Sequence, residues 1–381
     1  MPPITSHNVP SSVKPRPAVI ALAQFSLQGE SLATAIAQLK AEDDWQEWLA
    51  NLELHGLSGI ANKHIDEHDL PIPTAVRMQL KALKIRHTAA ANARAKVLGQ
   101  IDTAFKEQGI NYVALKGAAL APYVYQQEYL RPMRDMDLLI PREQLHQSGQ
   151  VLRGIGFEMP DEQPTKYMRD MHQLPNATKV VDGFTCSVEL HRDGISREVT
   201  GHYYYPSNAA LLQTIEWHQL SFYALDDVPM LHQVSRHLEG LHPAALQKLI
   251  NVMDVILLAE KILESGQWSK LEREFPHVIN TLCCLHLLTP LPASLQAKID
   301  NLPKNRPQGV GVIMGSLRSG LLKQKGLRAK LKPLLSPSDW WLYLYYNTHP
   351  DKSLLWIKLV RHPLRLCNWL SRRLYSRILG G

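Results

Sequence analysis

The strongest constraint on the fold is a stretch of strand-like sequence between positions 110 and 191, in a chain whose pattern is otherwise helical. INYVALKG (110–117) is a short apolar run ending in glycine, typical of a buried strand. RDMDLLIP (134–141) alternates polar and apolar residues until Pro141 ends it. Two further β-rich runs, ATKVVDG and FTCSVELH, meet at Asp182-Gly183, a strong hairpin signal. These runs predict an α/β (α+β) fold, in which a small α/β unit is embedded between helical regions.

The remainder of the chain divides around this unit. Val97, Ile101 and Phe105 recur at intervals of four and predict one buried helix face, which Gly109 would end. From position 208 onward the pattern is read as helical again. The predicted segments are a flexible leader (1–28), an N-terminal helical region (29–108), the α/β core (109–207), a second helical region (208–303) and a basic aromatic tail (304–381).

The positive charge of the chain lies in its tail. The formal net charge is +7, yet the residues from Arg318 to the end hold 13 Lys or Arg against 2 Asp. A nucleic-acid-binding face over the whole protein is therefore not expected. Four tryptophans stand among these basic residues: Trp340, Trp341, Trp356 and Trp369. Two interpretations stay open, namely peripheral contact with an anionic membrane surface, or docking of the aromatic stripe on the helical body.

Three acidic residues are the candidate metal ligands. On a strand, Asp135 and Asp137 point to one face, while Met136 and Leu138 point to the other. Two neighbouring carboxylates are unfavourable unless a cation joins them. Glu189 falls on the polar face of a later strand and would meet them if the two strands are neighbours. Oxygen ligands of this kind suit Mg²⁺ or Mn²⁺, and mutual repulsion without metal should raise the pKa of at least one carboxyl group.

Candidate anion-binding groups precede and flank the aspartates. Gly117 stands where a strand gives way to a helix, and a glycine there lets the backbone approach a phosphate closely. Lys116 either contacts that phosphate or is solvated at a strand end. Arg131 and Arg134 either bind a triphosphate or neutralise Asp135 and its neighbours. These four residues form the predicted nucleotide-binding set.

Three further polar residues carry weaker signals. His191 shares the predicted face of Glu189 and would contact substrate, orient a metal ligand or simply be a satisfied polar residue. His172 has similar alternatives. Asp254 interrupts an apolar helix and needs a buried partner, for which Lys248 and His237 are the candidates.

The motifs LKGAALA, RPMRDMDLLIP and VELHR together resemble the uncharacterised nucleotidyltransferases of the DNA-polymerase-β-like superfamily. The resemblance covers roughly residues 85–265 and includes MHQLP, which is similar to a His-containing segment of that family. It implies a core with a small mixed sheet flanked by helices. It also implies that Gly117 forms the turn and that Asp135, Asp137 and Glu189 are the catalytic carboxylates. Ala118 stands where the superfamily usually has a second glycine or a serine, so phosphate binding would rest on backbone N–H groups and cations.

The resemblance implies a nucleotidyltransferase that moves a nucleoside monophosphate from a nucleoside triphosphate to an unknown acceptor, with Mg²⁺ or Mn²⁺. The alternative is a non-catalytic relative that binds a partner or a membrane surface through its basic tail. The four cysteines show no paired metal-ligand spacing. A disulfide framework is not expected either, which suits a reducing cytoplasm. We therefore expect a cytoplasmic protein, peripheral to the membrane if the tail binds it.

Overall fold

The computed structural model describes most of the chain from Pro15 to Asn368. The described residues are 15–125, 127–160, 173–194, 204–240, 248–285, 288–300, 342–343, 346, 348, 352–368 and 371. His172 therefore lies outside the described residues, as do Trp340, Trp341 and Trp369.

Five helices precede the sheet. They are α1 (Pro17–Ala21), α2 (Gly29–Lys40), α3 (Trp45–His55), α4 (Ser58–His68) and α5 (Thr74–Glu107). The predicted apolar face of α5 is confirmed, because Val97, Ile101 and Phe105 are all fully buried. The helix ends just before Gly109, whose positive φ of 64° permits the left-handed turn that stops it.

Six strands form one mixed sheet. They are β1 (Val113–Leu115), β2 (Asp135–Leu139), β3 (Ala177–Val181), β4 (Phe184–His191), β5 (Leu212–Trp217) and β6 (Leu220–Leu225). Their spatial order is β3-β4-β2-β1-β6-β5. Strand β2 pairs parallel with β4 and antiparallel with β1, while β1 pairs parallel with β6. The predicted mixed α/β architecture is confirmed, and β2 lies near the centre of the sheet.

The hairpin between β3 and β4 is also confirmed. Val181 pairs with Phe184, and the two residues between them, Asp182 and Gly183, have φ angles of 51° and 78°. Such left-handed angles match the right-handed twist of the flanking strands, which is why Asp-Gly is favoured there.

The sheet continues beyond the predicted end of the α/β core at residue 207. Strands β5 and β6 lie in the segment that the sequence pattern assigned to helices. The error has a physical source: each strand is only six residues long, and β6 joins the sheet through its pairing with the distant β1. The predicted division of the chain into five segments stays a prediction.

Further helices lie between the strands and after the sheet. Between the core strands lie α6 (Lys116–Tyr123) and α7 (Leu145–Gly154). After the sheet come α8 (Asp227–Gly240), α9 (Leu249–Glu264), α10 (Trp268–Glu274), α11 (Pro276–Leu285) and α12 (Ala293–Asp300). Residues 355–368, here called the tail helix, contain a π-helical turn at Ile357–Arg361. Within the described part of the chain, every helix is too short or too polar to cross a lipid bilayer.

Two buried histidines make the N-terminal helices sensitive to acid. Burial lowers the pKa of His64 from 6.5 to about 4, and burial together with the charge of Lys248 does the same to His55. His64 Nε2 lies 2.7 Å from the Gln24 carbonyl oxygen, so the neutral ring donates there. Because the unfolded chain takes up protons below pH 6.5 and the folded chain only near 4, stability is lost as the pH falls through this window.

We expect the free energy of unfolding to fall by about 2 kcal/mol per buried histidine between about pH 7 and pH 5. His64→Gln retains a donor for the Gln24 carbonyl but does not titrate. Between these pH values its free energy of unfolding should therefore fall by about 2 kcal/mol less than that of the wild type. Denaturant unfolding at each pH measures the difference. His218→Gln, on the turn between β5 and β6, is the control; a His64→Gln profile that overlays the wild-type profile would contradict the prediction.

Candidate active site

Asp137 stands at the centre of the candidate site because of its register in the sheet. It lies opposite Glu189 of β4 on one side and opposite Leu115 of β1 on the other. Asp135 is two residues earlier on β2 and shares the face of Asp137. The opposite face of β2 carries Met136 and Leu138, both fully buried in the core. The structure thus brings all three predicted carboxylates to one side of the sheet.

His191 completes a compact group with two of these carboxylates. Its Nε2 atom lies 2.7 Å from Asp137 Oδ1 and 3.4 Å from Glu189 Oε2. Asp137, Glu189 and His191 each offer a ligand atom, and these atoms all lie within 4.8 Å of one another. Of the alternatives considered for His191, the geometry favours a role within the group of ligands.

Lys116 is the counter-ion of the group. It is the first residue of α6, directly after β1, and has a φ of 47°, a left-handed conformation that is uncommon for lysine. Its Nζ lies 2.7 Å from Asp137 Oδ1. Burial works to lower the pKa of Lys116, but the nearby charge of Asp137, with those of Asp135 and Glu189, raises it. The strained backbone therefore holds a firmly protonated ammonium group against the carboxylates.

The carboxyl groups differ in their proton affinity. Burial works to raise the pKa of Asp137, but Lys116 and then His191 hold it well below its usual range. A hydrogen bond with His191 likewise lowers the pKa of Glu189. Asp135 has the opposite shift, because burial and the charges of Asp137 and Glu189 raise its pKa. The predicted raised pKa in the cluster is thus found at Asp135.

Gly117 has a packing role that the sequence did not indicate. It is the second residue of α6 and is buried. A Cβ atom at this position would lie 2.7 Å from Arg131 Nη1 and 3.2 Å from Met133 Cβ. The adjacent Ala118 side chain is fully buried. The missing side chain of Gly117 therefore makes room for Arg131, so a larger residue would disturb the fold as well as any phosphate contact.

Arg131 forms a buried ion pair with Asp254 of α9. Arg131 Nη2 lies 2.6 Å from Asp254 Oδ2, and Nε lies 3.2 Å from Oδ1. The Tyr125 hydroxyl donates to the same Oδ1 at 2.8 Å. The prediction that Lys248 or His237 pairs with Asp254 is wrong. The partner, Arg131, is 123 positions away in sequence, so no local spacing pattern could indicate it. The geometry favours a structural role for Arg131 over phosphate contact.

Other cations surround the carboxylates. Arg134 is exposed immediately before β2. Lys248 precedes α9, and burial together with the charges of Arg134 and Arg131 lowers its pKa to about 8, against the attraction of Asp135. His237 also lies close to these charges, because burial and then the charge of Lys116 lower its pKa to about 3. Sequence reasoning missed Lys248 and His237 as neighbours of the site, because neither belongs to a motif.

A second group of possible metal ligands lies on α4, where His64, Glu67 and His68 have the spacing i, i+3, i+4. This spacing was visible in the sequence and was not recognised. Glu67 Oε2, however, already lies 2.8 Å from Lys63 Nζ, which neutralises it. The carboxylate group on the sheet is the stronger candidate for the site.

A helix-flanked mixed sheet, with paired aspartates on one strand and a third carboxylate on its neighbour, is the arrangement that the motif resemblance implied. The sequence profile of the family described as "Uncharacterised nucleotidyltransferase" matches residues 41–288, and the chain belongs to this family. The resemblance inferred from the motifs is thereby confirmed, over a longer segment than the motifs indicated. The protein is accordingly an enzyme of the transferase class.

Two solved structures of the antibiotic-resistance factor ANT(2″)-Ia are similar to this chain. A solution structure has 11% sequence identity and a TM-score of 0.33, covering 48% of this chain and 97% of that chain. A crystal structure in complex with adenylyl-2″-tobramycin has 12% identity and a TM-score of 0.33, covering 47% and 94%. A comparison with curated protein sequences finds no match.

The buried ion pair provides a test of the structural role of Arg131. Arg131→Met leaves the Asp254 carboxylate buried with only Tyr125 as a partner, and should lower the free energy of unfolding by about 3–5 kcal/mol. The double variant Arg131→Met/Asp254→Leu removes both charges and should recover most of this loss. Denaturant unfolding of the three variants, including Asp254→Leu alone, measures the coupling energy. Additive losses would show that the two residues do not act as a pair.

Opposite pKa shifts predict opposite effects of neutralising the two aspartates. At neutral pH without metal, Asp137→Asn should lower the free energy of unfolding by about 3 kcal/mol, since it leaves the Lys116 ammonium without its closest anion. Asp135→Asn should raise stability, because it removes a carboxylate whose charged form is disfavoured. Thermal unfolding of the metal-free proteins compares them. The same sign for both variants would contradict the assignment.

Proposed function

We propose that the protein transfers a nucleoside monophosphate from a nucleoside triphosphate to an acceptor hydroxyl, using a divalent metal held by Asp135, Asp137 and Glu189. The observation that carries the proposal is the pairing of Asp137 with Glu189 across β2 and β4, with Asp135 on the same face. This register gathers three carboxylates, whose mutual repulsion is unfavourable unless a cation joins them.

The donor set fits Mg²⁺ or Mn²⁺. Three carboxylates supply hard oxygen ligands, and the Asp137, Glu189 and His191 atoms are already within 4.8 Å of one another. When bound, the metal would neutralise phosphate charge and lower the pKa of the acceptor hydroxyl. The proposed ligands are Asp135, Asp137 and Glu189, with His191 beside two of them.

The cations of the chain would bind the triphosphate. Lys116 lies against Asp137 with its ammonium group protonated, and we assign it to a phosphate oxygen. Arg134 and Lys248 extend the positive charge at the start of β2. Gly117 is assigned to the phosphate turn through its backbone, while Arg131 supports that turn from below through its packing against Gly117.

Glu189 is the proposed proton acceptor. Its lowered pKa keeps it ionised, and it is less buried than Asp137. In the proposed reaction the acceptor O–H bond breaks and the proton goes to Glu189. The acceptor oxygen then forms a bond to the α-phosphorus, and the bond from that phosphorus to the bridging oxygen breaks to release pyrophosphate. His191, whose pKa its hydrogen bonds with Asp137 and Glu189 raise against the effect of burial, holds Glu189 in place.

Metal binding is tested best with Asp135→Asn, because this variant should be at least as stable as the wild type. Adding Mg²⁺ with each of the four nucleoside triphosphates should raise the melting temperature of the wild type, and this rise should vanish in Asp135→Asn. Glu216→Gln, on an exposed position of β5, is the matched control and should keep the full response. An undiminished rise in Asp135→Asn would mean that the metal binds elsewhere.

Labelled triphosphates identify the bond that breaks. With the α-phosphate labelled, an active enzyme should attach the label to an acceptor from a cell extract and release unlabelled pyrophosphate; with the γ-phosphate labelled, the acceptor should stay unlabelled. Mass spectrometry of the labelled product identifies the acceptor. Binding of triphosphate without any transfer would instead favour the non-catalytic alternative, and transfer of the γ-label would exclude nucleotidyl transfer.

A further inference from the structure

The tail helix exposes a row of large apolar side chains. Leu355, Trp356, Leu359 and Leu364 are 65%, 67%, 68% and 65% exposed, respectively. Single exposed apolar residues are ordinary on protein surfaces, but four within ten positions of one helix form a patch. Trp356 is therefore not docked on the helical body, which was one of the two interpretations of the aromatic tail.

The opposite side of the tail helix is already used for packing. Ile357 of this helix and Leu354, directly before it, are buried in a small cluster with Leu342 and Tyr346. His362 Nδ1 lies 2.9 Å from the Tyr346 hydroxyl oxygen, and the cluster thereby holds the helix through its inner face. The exposed apolar side chains are on the outer face, so the same contacts that hold the helix also present this row to the outside.

Positive charge is interleaved with the exposed apolar row. Lys358, Arg361 and Arg365 are exposed on the same helix. The sequence from Lys352 to the end contains seven Lys or Arg and no Asp or Glu. Nucleic acid would attract the cations but would leave the leucines in water. An apolar protein groove would cover the leucines but would not attract the cations. An anionic lipid surface satisfies both, with apolar side chains among the acyl chains and cations at the headgroups.

We propose that the tail helix lies flat on an anionic membrane surface, with Leu355, Trp356, Leu359 and Leu364 inserted at the headgroup boundary. Tryptophan is favoured at this depth because its ring is apolar and its N–H is polar. The cations would remain at the level of the lipid phosphates. This binding is independent of the proposed transfer reaction, because none of the residues involved belongs to the site on the sheet.

Vesicle flotation with the full-length protein tests the proposal. The wild type should float with vesicles that contain phosphatidylglycerol, should not float with pure phosphatidylcholine, and should detach at high salt. Leu355→Ser/Leu359→Ser should reduce the bound fraction by roughly tenfold or more, since two inserted side chains are lost. Ile85→Ser, which replaces a side chain 72% exposed on α5, is the matched control and should float like the wild type.

Other results would overturn the proposal. Flotation with neither kind of vesicle, or equal flotation of the double serine variant, would show that the row does not bind lipid. A wild type that is dimeric by light scattering, and a double variant that is monomeric and floats as well as the wild type, would assign the row to a second copy of the chain. Melting temperatures of all variants should match the wild type, because the replaced side chains are exposed.

Discussion

The candidate site depends on the buried ion pair between Arg131 and Asp254. Asp254 belongs to α9, which follows the sheet, whereas Arg131 lies just before β2 and packs beneath Gly117 at the start of α6. One interaction therefore connects the helices that follow the sheet with both segments that enter the site. Breaking such a pair leaves an uncompensated buried charge, so this contact ties the segment before β2 to α9, while the Arg131 side chain packs against Gly117 of α6.

Within the site, burial and neighbouring charges shift the pKa values of two aspartates on the same strand in opposite directions. Asp137 faces Lys116 and His191 and is firmly ionised, while Asp135 lies two residues earlier on β2 and has a raised pKa. The difference comes from position on the strand, since β1 brings Lys116 next to Asp137 and not next to Asp135. A site of this kind keeps a fixed anion with its own counter-ion and a second carboxyl group whose charge is costly until a cation arrives.

The tail helix is organised by a different balance. Its inner face packs on Leu342 and Tyr346, and its outer face combines exposed leucines and tryptophan with cations. In the core, apolar side chains are buried, and the charge of Arg131 is paired with Asp254. In our proposals, the site on the sheet binds a soluble triphosphate, and the tail helix binds a lipid surface.

The sequence by itself determined the class of fold and the three carboxylates, because strand alternation, the Asp-Gly hairpin and the spacing of the acidic residues are local patterns. It also determined the basic character of the tail. Only the tertiary structure decided that Asp254 pairs with Arg131, that Gly117 makes room for this arginine, and that Lys116 neutralises Asp137. It alone showed that β5 and β6 extend the sheet through the pairing of β6 with β1. Each of these contacts joins residues that are distant in sequence, and such partners are chosen by packing and by the need to neutralise buried charge, which no local pattern encodes.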